Sequence, residues 1–338
     1  MKRMLFIVNP KSGKNQIKPY LCDIIDLYVS NGYEVTVHTT QCQKDAYNVV
    51  RERGSFYDMI VCSGGDGTLD EVGAGLLELE DAPALGYIPA GTTNDFARSL
   101  GIDPSPMQAA KTAIDGVPFA CDLGKFNGTP FIYVAAFGAF TQVSYTTSQE
   151  AKNILGHAAY VIEGIKSLGS LKGYHVHCEY GDDKCLDDEF IYGMVTNSIS
   201  VGGFKSVSGK IMELNDGLLE VLLIKMPKNL MELQVIGANL LIQNIDERYM
   251  YLIKTDRITI SSDEEIAWTL DGEDGGSWQT ADIVNLRQAI RIVRPKEAVE
   301  NELEDKEEKL KAASVVKIEE KVEVAISESA AADDEKFE

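Results

Sequence analysis

The chain has 338 residues, is 44% hydrophobic and carries a formal net charge of −21 at pH 7. A chain of this length buries one or two substantial cores, and its acidic balance argues against wholesale nucleic-acid binding. No apolar run reaches the ~18–20 residues that a membrane-spanning helix needs. The opening "MKRMLFIVNP" is too short in its apolar part for a signal peptide, so we expect a first β-strand in a cytoplasmic protein.

Up to about residue 100, strand-like and helix-like patterns alternate. The strand-like segments are "MLFIV", "YEVTVHT", "YDMIVCS" and "ALGYIPA", and the helical ones are "IKPYLCDIIDLYVSNG", "KDAYNVVRERG", "LDEVGAGLLEL" and "NDFARSLG". Near-continuous apolar strands that alternate with helices predict a parallel sheet covered on both faces. In such sheets ligands bind at the carboxyl ends of the strands.

After Pro118 the pattern becomes mostly β and antiparallel. An "NG" turn signal separates two strand-like runs in "FACDLGKFNGTPFIYVAAFGAF", and helices are predicted at about 149–168 and 228–245. The remaining strand-like segments are "YHVHCEY", "EFIYGMVTNS", "GLLEVLLIK", "RITISS", "IAWTLDGE" and "AIRIVRP". We place a boundary near residues 120–127 and expect the two halves to pack with a cleft between them.

The segment from residue 296 to residue 338 has 15 acidic and 7 basic residues, a net charge of −8, and contains no Gly or Pro. This composition predicts a disordered or loosely helical tail. We assign it no catalytic role.

The first motif, "NPKSGK", follows the first predicted strand. Gly13 permits a backbone conformation that exposes N–H groups, and Ser12, Lys11 and Lys14 add donors and positive charge. These are the requirements of a phosphate-binding turn. The same letters also suit an ordinary turn.

The second motif, "GGDGT", lies where a buried strand meets a helix. Gly64, Gly65 and Gly67 allow the backbone to approach a ligand, and Thr68 can cap the helix or contact a phosphate. Asp66 would repel a phosphate unless a cation lies between them, and Mg²⁺ would resolve that conflict. The structural alternative is a capped turn in which Asp66 bonds to local amides.

The third motif, "PAGTTNDFAR", follows the next strand. Thr92, Thr93 and Asn94 offer hydroxyl and amide groups at that strand's carboxyl end. Asp95 is either a helix cap or a second carboxylate of the site. Arg98, one turn further, faces a phosphate or pairs with Asp95.

The fourth motif, "TLDGE", lies in the β-rich half. It is either a simple turn or the source of a general base, because a phosphoryl acceptor hydroxyl needs a carboxylate to take its proton. Asp271 and Glu273 are the two candidates.

Taken together and in this order, the four motifs resemble the bacterial diacylglycerol kinase-like lipid kinases, which are related to eukaryotic diacylglycerol and sphingosine kinases. The resemblance covers residues 3–295. "GGDG" also occurs in NAD kinases and phosphofructokinases, whereas "GTTNDFAR" favours the lipid kinases. The resemblance implies an α/β parallel-sheet nucleotide-binding domain over residues 1–125 and a β-sandwich-like lipid-substrate domain over residues 126–295, with the active site in the cleft.

The resemblance also implies ATP and Mg²⁺ as cofactors and assigns residues to them. The implied nucleotide-binding positions are Asn9, Pro10, Lys11, Ser12, Gly13, Thr39, Thr40, Gly64, Gly65, Asp66, Gly67, Thr68, Leu69, Asp70, Glu71, Thr92 and Asn94. Asp66, Asp95 and Asp122 are similar to the carboxylates that organise Mg²⁺ and its waters, and Asp271 is similar to the proton acceptor.

"MELNDGLLEV" is similar to a family segment that binds a second, structural Mg²⁺. Glu213, the Asp216 side chain and the Leu218 carbonyl would supply the ligands, while the structural alternative is an Asn-Asp-Gly hairpin turn.

One departure from the family pattern is visible. Relatives usually read "GGDGTLNE", but this chain has Asp70 in place of the Asn, and the extra carboxylate is expected to alter nucleotide affinity or metal preference.

The expected reaction is transfer of the γ-phosphoryl group of ATP to a lipid hydroxyl, foremost that of diacylglycerol to give phosphatidic acid. The alternatives are an NAD kinase-like enzyme, a sphingoid-base kinase and a non-catalytic nucleotide sensor. We expect peripheral contact with the inner face of the membrane, no nucleic-acid partner and, by resemblance alone, a homodimer. Candidate basic contacts with the membrane are Lys152, Lys166, Lys172, Lys205 and Lys210.

Overall fold

The computed structural model describes residues 1–13, 17–91, 94–139, 171–197, 200–201, 204–205, 214–242 and 244–303; residues 95, 200–201, 204–205 and 241 are described by their backbone. Residues 1–294 form one compact unit. A second unit covers residues 295–338, and within it residues 296–303 are helical. None of the helices in the described ranges is long and apolar enough to cross a membrane.

The first part of the chain folds as predicted into parallel strands separated by helices. The strands are β1 (Lys2–Val8), β2 (Tyr33–Thr39), β3 (Met59–Gly64) and β4 (Ala84–Pro89). The helices are α1 (Leu21–Ser30), α2 (Asp45–Arg53), α3 (Asp66–Leu77), α4 (Asp95–Leu100) and α5 (Pro106–Asp115), with short 3₁₀ helices at Lys18–Tyr20 and Gly54–Phe56.

The strands lie side by side in the order β4-β3-β1-β2, all parallel. β3 is buried along its whole length, which explains its unbroken apolar sequence. Val8 pairs with Ser63, and Gly64 pairs with Pro89. This register brings the carboxyl ends of three strands to one edge of the sheet, where the glycine motifs follow them.

The later part of the chain is mostly antiparallel. Its strands are β5 (Val117–Phe126), β6 (Thr129–Phe131), β7 (Val134–Gly138), β8 (Tyr174–Tyr180), β9 (Lys184–Thr196), β10 (Ser200–Val201), β11 (Phe204–Lys205), β12 (Leu219–Lys225), β13 (Met250–Thr255), β14 (Arg257–Leu270) and β15 (Glu273–Arg294). Helix α6 (Leu230–Leu241) lies between β12 and β13. β15 joins the parallel strands through the pairing of Ile292 with Leu85, so the sheet continues from one half into the other.

The central antiparallel strands separate two hydrophobic clusters. Along β7, Val134 and Ala136 belong to the first cluster, which also contains the interior of the parallel strands, whereas Ala135 and Phe137 belong to the second. The second cluster is drawn from residues 126–283. Because successive side chains of a strand point to opposite faces, a strand buried on both sides supplies both cores.

Two tight hairpins have both central residues at positive φ. Asn127 and Gly128 have φ of 44° and 90°, and Asp271 and Gly272 have φ of 49° and 84°. This is the geometry of two-residue turns that match the twist of antiparallel strands. The hairpin predicted from "NG" is therefore confirmed, and the same turn geometry holds the fourth motif between β14 and β15.

The predicted mixture of an α/β part and a β-rich part is confirmed, with some differences in its elements. "RITISS" and the "IAWTL" part of "IAWTLDGE" form the single strand β14, whereas Glu273 begins β15. The helix predicted at about 228–245 is α6. Helix α5 was not predicted, although Ser105 and Pro106 mark its start. The helix predicted at 149–168 lies outside the described residues, and the domain division at residue 125 stays a prediction.

We predict that Ile292→Ala lowers the free energy of unfolding by about 2–5 kcal/mol, because Ile292 is fully buried where the two parts of the sheet join. Ile242→Ala is the matched control, since Ile242 is 73% exposed and its truncation should cost less than about 0.5 kcal/mol. Urea unfolding of both variants measures the difference. Similar losses in the two variants would contradict the role assigned to the junction.

Candidate active site

Three loops meet at the carboxyl ends of β1, β3 and β4. The Asn9 amide donates to the Ser63 carbonyl, and the Ala90 amide donates to the Gly64 carbonyl, each at 2.8 Å. These bonds extend the parallel pairing past the last strand residues. The first three motifs of the sequence are thereby brought into contact.

The loops approach each other at glycines. Gly13 has φ of +53°, and a Cβ atom there would overlap the carbonyl oxygen of Ala90. A Cβ atom on Gly91 would lie 2.7 Å from the Cα atom of Gly65. No side chain fits between backbones at this separation, so glycine is required at the centre of the site.

Asn9 ties the first loop to the second. Its Nδ2 atom donates to the Thr68 hydroxyl at 2.9 Å, and its Oδ1 atom accepts the Lys11 amide at 3.0 Å. Asn9, Lys11 and Thr68 are all predicted to bind nucleotide. In this structure their polar groups also shape the turn and the start of α3.

The start of α3 faces the space between the loops. Gly65 is its N-cap, and Asp66 is its first residue. The first N–H groups of a helix have no partners within the helix, and the helix dipole places positive potential there. This end of α3 therefore offers an environment suited to an anion such as a phosphate.

A cavity of about 370 Å³ opens at this edge of the sheet. Eight of the predicted nucleotide-binding residues line it: Asn9, Lys11, Ser12, Thr40, Gly65, Gly67, Thr68 and Glu71. Four further residues line it as well: Gln41, Cys42, Gln43 and Glu273. The first three of these were not predicted, although the polar run "TTQCQK" between a strand and a helix was the available signal.

Several predicted nucleotide-binding residues are not among those that line the cavity. Asn94 accepts the Gly91 amide at 2.9 Å and donates to its carbonyl at 3.1 Å, which closes the third loop. Thr39 accepts Gln41 Nε2 through both its carbonyl and its hydroxyl. Leu69 is fully buried in the core. Neither Pro10 nor Gly64 is among the lining residues, and Thr92 is outside the described residues.

Glu71 anchors the loop that contains Gln41 to Gln43. Its two carboxylate oxygens accept the amides of Lys44, at 2.7 Å, and Ala46, at 3.1 Å. The carboxylate thus satisfies free N–H groups at the start of α2. These two donors partly offset the negative charge of Glu71, and the same residue lines the cavity.

The Asp271 carboxylate accepts hydrogen bonds from the backbone of residues 132–134. Its Oδ2 atom accepts the Ile132 amide at 2.6 Å, and its Oδ1 atom accepts the amides of Tyr133 and Val134 at 3.0 and 2.9 Å. Its own amide donates to the Val134 carbonyl at 2.8 Å. The residue is 7% exposed. The carboxylate therefore holds the β14–β15 turn in a fixed position.

Burial raises the pKa of Asp271, and the three backbone donors together with Asp70 oppose that rise. Asp70 lies one turn into α3, near enough to Asp271 for the two carboxyls to affect each other's pKa. Burial raises the pKa of Asp70 well above its ordinary value, and the neighbouring charges of Asp271, Glu273 and Glu71 act in the same direction. The residue that departs from the family pattern therefore lies near the proposed proton acceptor.

Glu273 is exposed and faces the glycine motif from the other part of the chain. Its Oε1 atom lies 3.0 Å from the point where a Cβ atom of Gly67 would be. The Asp-Gly turn thus places the Glu273 carboxylate in the cavity wall, while the Asp271 carboxylate is buried and does not line the cavity. Burial is the main cause of a raised pKa of Tyr87, and the charge of Asp66 adds to it.

Asp122 lies in a separate environment. Its carboxylate accepts the Gly217 and Gln288 amides, each at 2.6 Å, and the Asn285 side chain at 3.4 Å. Its carbonyl accepts the Asn197 side chain. It does not line the 370 Å³ cavity. Here it connects β5 to the turn at 214–218 and to an irregularity of β15.

The predicted structural metal segment forms a turn in which Asp216 Oδ1 accepts the Leu218 amide at 2.9 Å. Glu213 and the Asp95 side chain lie outside the described residues. Within the ranges that the structure describes, no three His, Cys, Asp or Glu side chains form a group that could hold a metal ion. The metal assignments therefore stay predictions.

The contacting glycine loops and the helix start are features of phosphate-binding proteins with a parallel α/β sheet. A sequence model of the diacylglycerol kinase catalytic domain matches residues 3–126. The Bacillus subtilis (strain 168) diacylglycerol kinase is 38% identical over 303 residues, which is 89% of this chain and 99% of the relative. A diacylglycerol kinase of Staphylococcus epidermidis is 36% identical over 305 residues, or 89% and 95% of the two chains.

Solved structures give the same result. A Bacillus anthracis str. Sterne crystal structure assigned to a diacylglycerol kinase superposes with a TM-score of 0.75 at 28% identity. The match covers 87% of this chain and 97% of the other. The chain belongs to the diacylglycerol kinase family and is a lipid kinase.

We predict that Gly13→Ala lowers the free energy of unfolding more than Gly32→Ala does. Both glycines have positive φ, and a side chain there costs about 1–2 kcal/mol. Only Gly13 also meets a backbone oxygen, while nothing lies within 4 Å of a Cβ atom at Gly32. Displacing the Ala90 loop should add about 1–3 kcal/mol. Urea unfolding checks this, and equal losses would show that the loops are not in close contact.

Proposed function

We propose that this protein transfers the γ-phosphoryl group of ATP to the hydroxyl of diacylglycerol, which gives phosphatidic acid and ADP. One observation carries the proposal. The N-terminus of α3 and the Asp-Gly-Glu turn, which are distant in sequence, border one cavity. The helix N-terminus suits the phosphates of a nucleotide, and the turn brings the Glu273 carboxylate to the same cavity. The names of the relatives support the choice of lipid.

Binding of ATP relies on backbone N–H groups from the glycine loops, with Lys11 and Ser12 as side-chain donors on the cavity wall. Carboxylate oxygens are the ligands that Mg²⁺ prefers, and Asp66, at the start of α3, fits that requirement. We assign Asp66 and Asp95 to the ion, and Asp122 to waters farther from the cavity. When bound, Mg²⁺ neutralises charge on the transferring phosphoryl group.

In the transfer step, a bond forms between the γ-phosphorus and the lipid oxygen while the bond to the β,γ-bridging oxygen breaks. The hydroxyl proton goes to Asp271. A raised pKa suits a base that works near neutral pH. Glu273 is the alternative acceptor, because its carboxylate already lines the cavity. Positioning and electrostatics supply most of the catalysis in such reactions.

Glu213, Asp216 and the Leu218 carbonyl keep a proposed structural role, as ligands of a second Mg²⁺. The Asp216 carboxylate stabilises the turn before β12 through Leu218. A hard cation at this turn would add oxygen ligation to the same conformation.

A lipid substrate requires contact with a membrane, and α6 offers a surface for it. Met231, Val235, Ala238 and Ile242 are exposed and spaced so that they share one face, with Met231 76% and Ile242 73% exposed. We propose that this α6 stripe enters the lipid surface. Among the predicted basic contacts, Lys172 instead pairs with Glu264 at 2.6 Å.

We predict that Asp271→Asn lowers kcat about a hundredfold or more, the usual contribution of a general base, with little change in the KM for ATP. The assay uses labelled ATP, Mg²⁺ and mixed micelles of diacylglycerol with anionic lipid, and phosphatidic acid is measured. Because an Asn amide would oppose the Ile132 N–H group, circular dichroism and ATP binding must confirm that the variant is folded.

Glu273→Gln is the partner variant, and its side chain is exposed, so folding is not at risk. A large kcat loss in this variant together with full activity of Asp271→Asn would assign the base to Glu273. If the wild type makes no phosphatidic acid, NAD and sphingoid bases are offered to it. Turnover of NAD or of a sphingoid base would assign that substrate instead of diacylglycerol. Bound ATP with no turnover at all would indicate a nucleotide sensor.

We predict that the double variant Met231→Glu and Val235→Glu lowers the fraction of protein that sediments with anionic vesicles several-fold. Burial of these side chains in lipid is lost and charge is added. Gln234→Glu is the control, because it adds charge on an exposed position without removing apolar surface. If the double variant leaves vesicle binding unchanged but dissociates a dimer in analytical ultracentrifugation, the stripe is a contact between copies of this chain.

A further inference from the structure

One peptide group beside the proposed proton acceptor is held at both ends. Its N–H group, that of Val134, donates to Asp271 Oδ1 at 2.9 Å. Its carbonyl, that of Tyr133, accepts the Thr196 hydroxyl at 2.6 Å and the Asn197 amide at 3.0 Å. A peptide group is planar, so fixing the direction of its carbonyl also fixes the direction of its N–H group. Thr196 therefore orients a donor to Asp271 through this peptide group.

Thr196 and Asp271 approach β7 from opposite sides. β7 lies between β9 and β14 in the sheet, and Val134 pairs with Thr196, the last residue of β9. Asp271 follows the last residue of β14, and its amide donates to the Val134 carbonyl at 2.8 Å. The start of β7 thus connects the end of one neighbouring strand to the turn that follows the other.

The Thr196 hydroxyl does more than satisfy a buried carbonyl. The Asn197 amide already pairs with the Tyr133 carbonyl, and a carbonyl oxygen has two acceptor positions. The hydroxyl fills the second position with the shorter of the two bonds, and Thr196 is only 3% exposed, so water does not compete for it. In such a poorly hydrated place, a bond to the carbonyl also polarises the peptide group and strengthens its N–H group as a donor.

We propose that Thr196 is a positioning residue for the transfer reaction, whose hydroxyl holds the Tyr133–Val134 peptide group so that this group directs the Asp271 carboxylate. Three backbone donors to that carboxylate come from residues 132–134, so its direction depends on how this segment is oriented. The catalytic consequence rests on the proposed role of Asp271 as the proton acceptor. The anchoring of the peptide group does not depend on any activity.

The test compares two variants of Thr196 with a matched control. Thr196→Val has nearly the same shape but no hydroxyl, whereas Thr196→Ser keeps the hydroxyl and loses the methyl group. The control is Thr255→Val, at the end of β13. Thr255 is 4% exposed, and its hydroxyl donates to the Arg257 carbonyl at 2.7 Å, so the control removes the same kind of buried bond away from Asp271.

In the assay with labelled ATP and diacylglycerol, Thr196→Val should lower kcat about tenfold with little change in the KM for ATP. A displaced base affects the transfer step and not the binding of nucleotide. Thr196→Ser and Thr255→Val should keep a kcat close to that of the wild type. Equal losses of kcat in Thr196→Val and Thr196→Ser would indicate a packing defect and would overturn the positioning role.

A double variant tests whether Thr196 acts through Asp271. Adding Thr196→Val to Asp271→Asn should lower kcat much less than adding it to the wild type, because the carboxylate to be positioned is already absent. An undiminished further loss would show that Thr196 acts on another group, which contradicts the proposal.

Hydrogen exchange tests the anchoring without any turnover. The Val134 amide should exchange several-fold faster in Thr196→Val than in the wild type or in Thr255→Val. Unchanged exchange would refute the anchoring, and faster exchange with an unchanged kcat would refute the positioning role. Faster exchange in a protein that makes no phosphatidic acid would support the anchoring while removing the proposed function.

Discussion

The Asp271 carboxylate is the constraint on which the candidate site depends. Its three hydrogen bonds to the backbone of residues 132–134 hold the Asp-Gly turn against the start of β7. Because that turn has both residues at positive φ, the direction of β15 is fixed as it leaves the turn. Glu273, the first residue of β15, therefore reaches Gly67 and completes a cavity that the parallel strands alone would leave open.

The groups around this cavity have opposite effects on an anionic ligand. Backbone N–H groups at the start of α3 attract an anion, whereas Asp66 and Glu273 repel one. Glu71 is less repulsive than its position suggests, because the Lys44 and Ala46 amides neutralise part of its charge. A polyphosphate enters such a site most readily with a divalent cation. The dependence on Mg²⁺ that we propose thus follows from the same carboxylates that would organise the transfer.

Local sequence patterns predicted most of the elements, since apolar periodicity and glycine turns act within a few residues. β3 and α3 follow from "YDMIVCSGGDGTLDEVGAGLLEL" in this way. Helix α5 was not predicted because its buried face consists of alanines, which give a weak periodic signal. The cavity contacts of Gln41 to Gln43, and the placement of Asp122 beside Gly217, depend on long-range packing that no local pattern encodes. Asp70 stands out in the sequence, but two of the acids that raise its pKa, Asp271 and Glu273, lie at the distant β14–β15 turn.

The acids near Asp70 change the meaning of the Asn-to-Asp departure. In an exposed helix an extra acid would add one negative charge near the nucleotide and weaken its binding. Here burial and the charges of Asp271, Glu273 and Glu71 raise the pKa of Asp70 well above its ordinary value, which favours the neutral acid. The extra acid therefore adds less negative charge to the site than its position in the motif suggests. A substitution that resembles a defect in the motif is thus compatible with an intact site.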